Sequence, residues 1–121
     1  MPTILTVDDS PSIRTMIRLA LGPAGHVVVE AADGAEGLAK AKSQPIDMVI
    51  TDLNMPGMNG MAMIKGLRGV PSLVGVPIVF LSTESDDSIK QEAKAAGATG
   101  WLTKPFKAEQ LIAIVNKLAR K

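Results

Sequence analysis

Cysteine is absent from this 121-residue chain, and histidine and tryptophan occur once each. Disulfides, a thiolate nucleophile and any cysteine metal site are thereby excluded, and the absence is compatible with a reducing compartment. Neither sign of charge is in excess: 13 lysines and arginines balance 12 aspartates and glutamates, so there is no electrostatic reason to expect a nucleic-acid partner. No run of 18 apolar residues exists to span a membrane. The N-terminus MPTILTVDDS has no basic segment followed by a long apolar core, so it does not read as a signal peptide. The expected location is the cytoplasm. What remains is a chain 46% apolar and 21% charged, the composition of a soluble globular protein. Its length suits one domain over residues 1–121, able to bury roughly two-thirds of its unfolded surface without a covalent or metal staple.

Five short apolar runs organise the chain: I4-L5-T6-V7, H26-V27-V28-V29, D47-M48-V49-I50, P77-I78-V79-F80-L81 and T99-G100-W101-L102. The first, third and fourth are almost unbroken and rich in β-branched residues, as strands buried on both faces of a parallel sheet are. The second and fifth are more mixed, as edge strands often are. Amphipathic stretches of helical length alternate with them. Ile13, Met16, Ile17 and Ala20 form one stripe, and Met61, Ile64 and Leu67 another. Asp33 and Glu36 make a capping-box pattern at the head of a helix running through Leu38 and Ala41. Residues 87–96 end at Gly97, a C-terminal cap. The last helix, 108–119, carries Leu111, Ile114, Val115 and Leu118 on one face, with Lys117 near its end to suit the helix dipole. The order predicts a (βα)5 α/β fold: a doubly wound, five-stranded parallel sheet with helices on both faces.

In such a sheet, chemistry gathers beyond the carboxyl ends of the strands, near a switch in strand order. Asp8 and Asp9 follow the first run, Asp52 the third, Ser82, Thr83 and Glu84 the fourth, and Thr103, Lys104 and Pro105 the fifth. The second run offers no obvious reactive group; Glu30 follows it. Three carboxylates at one edge repel each other and call for a cation. All-oxygen ligation with few protein donors suits Mg2+ better than Ca2+, and the lack of cysteine or a nearby histidine disfavours zinc. Lys104 adds a positive charge and Ser82 a hydroxyl, an arrangement suited to a phosphoryl group. Asp52 is then the natural acceptor, its carboxylate forming an acyl phosphate. Each residue also has a plainer reading. Asp52 could be a turn or cap residue, Asp9 or Ser10 could cap the first helix, and Lys104 could be a solvated loop lysine. His26, at the head of the second run, reads as solvated or locally hydrogen-bonded rather than catalytic. The seven methionines read as core filler.

Together, T6-V7-D8-D9-S10, D52-L53-N54-M55-P56-G57-M58-N59-G60, L81-S82-T83 and K104-P105-F106 resemble the receiver domain of two-component response regulators, most like the single-domain, CheY-like chemotaxis type. The resemblance covers essentially the whole chain and implies a flavodoxin-like fold. It implies Asp52 as the site of aspartyl phosphorylation. It further implies Mg2+ bound directly by Asp9 and Asp52, through water by Asp8, and by the backbone carbonyl of Asn54. Ser82 and Lys104 would meet the phosphoryl group, and Trp101 would take the place of the switch aromatic. Asn54 and Glu84 fall where the family tunes loss of the phosphate. Pro56, Gly57 and Gly60 would shape the loop, and the bond before Pro105 would be cis. Two departures stand out: serine at 82 where threonine is usual, and tryptophan at 101 where tyrosine or phenylalanine is usual.

The expected function is therefore that of a phosphorylation-switched signalling protein, not an enzyme in the ordinary sense. It would be a monomer without an output domain, acting through its own fourth-helix, fifth-strand and fifth-helix face. Its implied partners are a sensor histidine kinase or phosphotransfer domain, with a flagellar motor switch and a phosphatase as further candidates. A phosphorelay intermediate and an unphosphorylated receiver-like scaffold are the alternatives within this class. A phosphohydrolase of the haloacid-dehalogenase type would need a second aspartate two residues after Asp52, where Asn54 stands, and a cap domain. A flavodoxin-like cofactor protein would need a phosphate loop where Asp8 and Asp9 would repel phosphate.

Overall fold

The computed structural model describes residues 2–52, 60–73, 75–83, 87–104 and 106–118. Strands β1 (Thr3–Val7), β2 (Val27–Ala31), β3 (Met48–Asp52), β4 (Ile78–Ser82) and β5 (Gly100–Thr103) alternate with helices α1 (Pro11–Leu21), α2 (Gly34–Ser43), α3 (Gly60–Arg68), α4 (Asp87–Ala96) and α5 (Ala108–Leu118). A short 3-10 turn, Pro71–Leu73, precedes β4. All strand pairs are parallel, in the order β2-β1-β3-β4-β5. The mixed second and fifth runs are indeed the edges.

Side chains alternate across each central strand. Ile4, Met48, Ile50, Val79 and Leu81 point to one face, where Ile17 and Leu21 of α1 and Leu111 and Val115 of α5 cover them. Leu5, Val7, Val49, Ile78 and Phe80 point to the other, under Ala41 of α2, Met63, Ile64 and Leu67 of α3, and Ala93 of α4. Because both faces are covered, β3 and β4 are buried at every position. Full burial of each large aliphatic side chain stabilises the fold by about 1.5–3 kcal/mol.

Local signals place the helix ends. Ser10 caps α1, its hydroxyl accepting the Ile13 N–H at 3.3 Å, with Pro11 at the first helical position. Asp33 accepts the Glu36 N–H at 2.8 Å while Glu36 accepts the Ala32 N–H at 2.8 Å. Gly97 ends α4 at φ +117°.

The strand boundaries differ from the apolar runs in one consistent way. β2 extends through Glu30 and Ala31, β3 through Thr51 and Asp52, β4 through Ser82 and β5 through Thr103. Hydrophobicity ends before the backbone ladder does, so Asp52, Ser82 and Glu30 belong to strands rather than to the loops after them. His26 is buried rather than solvated: its Nε2 lies 3.1 Å from Asn116 Oδ1 on α5, far along the chain.

Candidate functional site

Strand order reverses between β1 and β3, the two strands that bring the acidic residues to the carboxyl edge. Val7 pairs with Thr51, so one further step along the ladder sets Asp8 level with Asp52. Asp52 is the last residue of β3, paired to Leu81, and Ser82 stands one residue beyond it on β4. Ser82 in turn pairs with Thr103, and its carbonyl accepts the Lys104 N–H at 2.7 Å. Parallel register thus delivers side chains from β1, β3, β4 and β5 to one edge.

Asp8, Asp9 and Asp52 each offer a carboxylate oxygen, and these lie within 4.8 Å of one another. Asp8 and Asp52 are buried and Asp9 is exposed. Lys104 Nζ sits 3.2 Å from Asp8 Oδ2 and 3.4 Å from Asp52 Oδ1, its side chain 18% exposed. The other Asp8 oxygen, Oδ1, accepts the Ser10 N–H at 2.9 Å. Among the described residues, three formal negative charges therefore face one lysine. A divalent cation closes that deficit, and an all-carboxylate donor set is what a hard cation takes. The cluster is able to coordinate a divalent metal, with the exposed Asp9 on its solvent side.

Ser82 is buried beside this group. Trp101 is half-buried on β5, its ring edge-on to Phe80 with centroids 6.1 Å apart. Gly60 is the first residue of α3. Asn54, Pro56, Gly57, Glu84 and Pro105 lie outside the described residues.

Two residues at this edge have no counterpart in the motifs. Arg14 of α1 donates from Nη1 to the Asp8 backbone carbonyl at 2.5 Å, and its Nε lies 3.4 Å from Glu30 Oε1. Glu30, at the supposedly featureless end of β2, also pairs with Arg18 and accepts at its carbonyl from Lys40 Nζ. The available signal was the Arg14, Arg18 spacing on the polar face of α1, which says nothing of a partner on β2.

A doubly wound sheet of this order, with an acidic trio and a lysine at its carboxyl edge, places the chain among receiver-type signalling domains. The chain belongs to the response regulator receiver domain family, whose model matches residues 4–116. Vibrio cholerae chemotaxis protein CheY4 superposes with a TM-score of 0.95 at 46% identity, over 98% of each chain. Protein PilH of Pseudomonas aeruginosa is 34% identical over 96% of each sequence. The transcriptional regulatory protein KdpE of Mycobacterium tuberculosis is 36% identical over 121 residues, and the chain spans 52% of its length. The receiver domain of P. aeruginosa sensor histidine kinase PA1611, solved with magnesium coordinated in its active-site cleft, has a TM-score of 0.88 at 28% identity. No helix among the described residues is long and apolar enough to cross a membrane.

Proposed function

We propose that this chain is a CheY-like response regulator that accepts a phosphoryl group on Asp52 from a kinase phosphohistidine. One observation carries the reading: the buried Asp52 carboxylate ends β3 within 4.8 Å of two other carboxylates and 3.4 Å from Lys104. An Asp52 oxygen attacks phosphorus, the P–N bond to the imidazole breaks, and its electron pair stays on the ring nitrogen. The product is an aspartyl phosphate, from which water later releases inorganic phosphate.

Mg2+, held by Asp9, Asp52 and the Asn54 carbonyl and through water by Asp8, would balance charge on the phosphoryl oxygens when bound. Both Asp8 oxygens already have partners, which suits a role through water. Lys104, poised between Asp8 and Asp52, loses its contact to the Asp52 oxygen that reacts and turns to the phosphoryl group. The Ser82 hydroxyl donates to a second phosphoryl oxygen. That movement vacates space at the end of β4 and lets Trp101 turn inward, so that the α4–β5–α5 face changes. Asn54 and Glu84 modulate release of the phosphate. The 46% identity to a chemotaxis protein over 98% of both chains favours a chemotaxis role. A flagellar motor switch protein would then read the face, and a phosphatase would shorten the signal.

Intact mass after incubation with acetyl phosphate and Mg2+ tests this. A single Mg2+-dependent gain of about 80 Da is expected, absent in Asp52→Asn. No gain from acetyl phosphate or from a phosphorylated kinase would sink the phosphoacceptor assignment.

A further inference from the structure

We propose that Arg14 is a positioning residue for the cation site, holding the Asp8–Asp9 peptide unit so that the Asp9 carboxylate is presented to the metal. The proposal rests on the reading of Asp8, Asp9 and Asp52 as that site.

Asp8 and Asp9 are placed differently. The Asp8 side chain is buried and held through both oxygens. Asp9 is exposed, and among the described residues nothing tethers its carboxylate. Its position depends on its backbone. The peptide between Asp8 and Asp9 is a rigid plane, so the direction of the Asp8 carbonyl sets where the Asp9 Cα lies. That carbonyl accepts the Arg14 Nη1 hydrogen bond. On the other side of Asp8, its N–H donates to the Ala31 carbonyl at 3.1 Å. Both peptide units flanking Asp8 are thereby tied to β2, one directly and one through Arg14 and Glu30.

The brace does not stop at Glu30. Arg18 Nη1 holds its second carboxylate oxygen, and Lys40 of α2 reaches the Glu30 carbonyl while pairing with Glu36 at 3.1 Å. Arginine suits the task because its planar guanidinium holds Nη1 at the Asp8 carbonyl while Nε stays in ion-pair range of Glu30, so one side chain spans the loop and β2 at once; a lysine ammonium offers a single point. Arg18 shares the partner Glu30 without touching the loop.

Charge and position predict opposite signs. If Arg14 mattered only as a positive charge near the acidic trio, its removal would tighten cation binding. If it positions the loop, removal weakens binding, and keeping the charge without the planar guanidinium does not help. Groups that orient metal ligands typically alter affinity 10–100-fold; Arg14 acts through a backbone, so the lower end applies.

Isothermal titration of the full chain with MgCl2 reads this directly, beside thermal unfolding in EDTA to establish folding. Arg14→Met and Arg14→Lys are each expected to weaken Mg2+ about tenfold, Glu30→Gln about threefold, and Arg18→Met by less than about twofold. Wild-type or tighter affinity in Arg14→Met, or wild-type affinity in Arg14→Lys, overturns the proposal. Should the Arg14 variants not fold, an unchanged affinity in Glu30→Gln overturns it instead. A wild-type chain that binds no Mg2+ removes the cation site and this proposal with it. A wild-type chain that binds, with Asp9→Asn weakened and the Arg14 variants unchanged, refutes the positioning role alone.

Discussion

Replacing Lys104 by methionine keeps the aliphatic stem and removes the ammonium that bridges Asp8 and Asp52. At an effective dielectric of about 20, charges 3.2–3.4 Å apart attract by about 5 kcal/mol per contact before desolvation is counted. Most of that is cancelled by the cost of taking the ammonium out of water. Breaking a buried pair costs about 3–5 kcal/mol and an exposed one about 0–1. With the Lys104 side chain 18% exposed, a loss of about 2 kcal/mol is expected for the metal-free protein. On the proposed reading Mg2+ also draws on the Asp52 carboxylate, so the lysine and the cation compete for the same negative charge. Its removal should therefore tighten Mg2+ about tenfold, or about 1.4 kcal/mol, so that saturating MgCl2 restores most of the lost stability. Urea unfolding in EDTA and in MgCl2, with titration of the ion, closes this cycle. An equal loss in both conditions would show that lysine and metal do not share that charge. No loss in EDTA would refute the stabilising role of the two ion pairs.

Gly97→Ala should cost about 2 kcal/mol in urea unfolding: φ is +117°, and a Cβ would lie 3.0 Å from Arg68 Nε, disturbing the guanidinium that donates to the Gly97 carbonyl at 2.7 Å. Gly37→Ala should destabilise by about 1–2 kcal/mol despite alanine's better helix propensity, because its methyl would lie 2.7 Å from a methyl of the buried, stiff Val7 side chain; a net gain would show that α2 can move away from β1. The Glu36 carboxyl is held below its ordinary value of 4.5, first by the Ala32 N–H and then by Lys40. A depressed folded value means that this contribution is present above the unfolded value and lost as pH falls through the folded one. Glu36→Gln should therefore flatten the acid limb of stability below about pH 4.5, and an unchanged limb in denaturation midpoints against pH would count against the capping box.

The alternation of strand and helix was legible because each element buries one kind of pattern: near-continuous apolar runs for strands covered on both faces, and three- and four-residue spacing for helices. Ser10, Asp33 and Gly97 were legible as caps or stops because capping acts within four residues. The acidic residues and Lys104 could be placed at strand ends because parallel strands share a direction, so their carboxyl ends meet whatever the strand order. The apolar runs stop short of the strand ends at Glu30, Asp52 and Ser82, since the ladder bonds backbone groups and does not require the side chain to be apolar.

By itself, the amino-acid sequence determined the class of fold, the edge strands, the helix caps and the side chains that gather at one edge of the sheet. These follow from local conformational preference and from the requirement to bury apolar faces. Only the tertiary structure decided the lateral order β2-β1-β3-β4-β5, the bridging of Asp8 and Asp52 by Lys104, the burial of His26 against Asn116, and the brace from Arg14 through Glu30. The physical reason is common to all four. Each joins groups far apart in the chain, and their pairing depends on distances of a few ångströms that exist only once the helices are packed on the sheet. A charged residue carries its reach and its valence in the sequence; its partner is chosen by the fold.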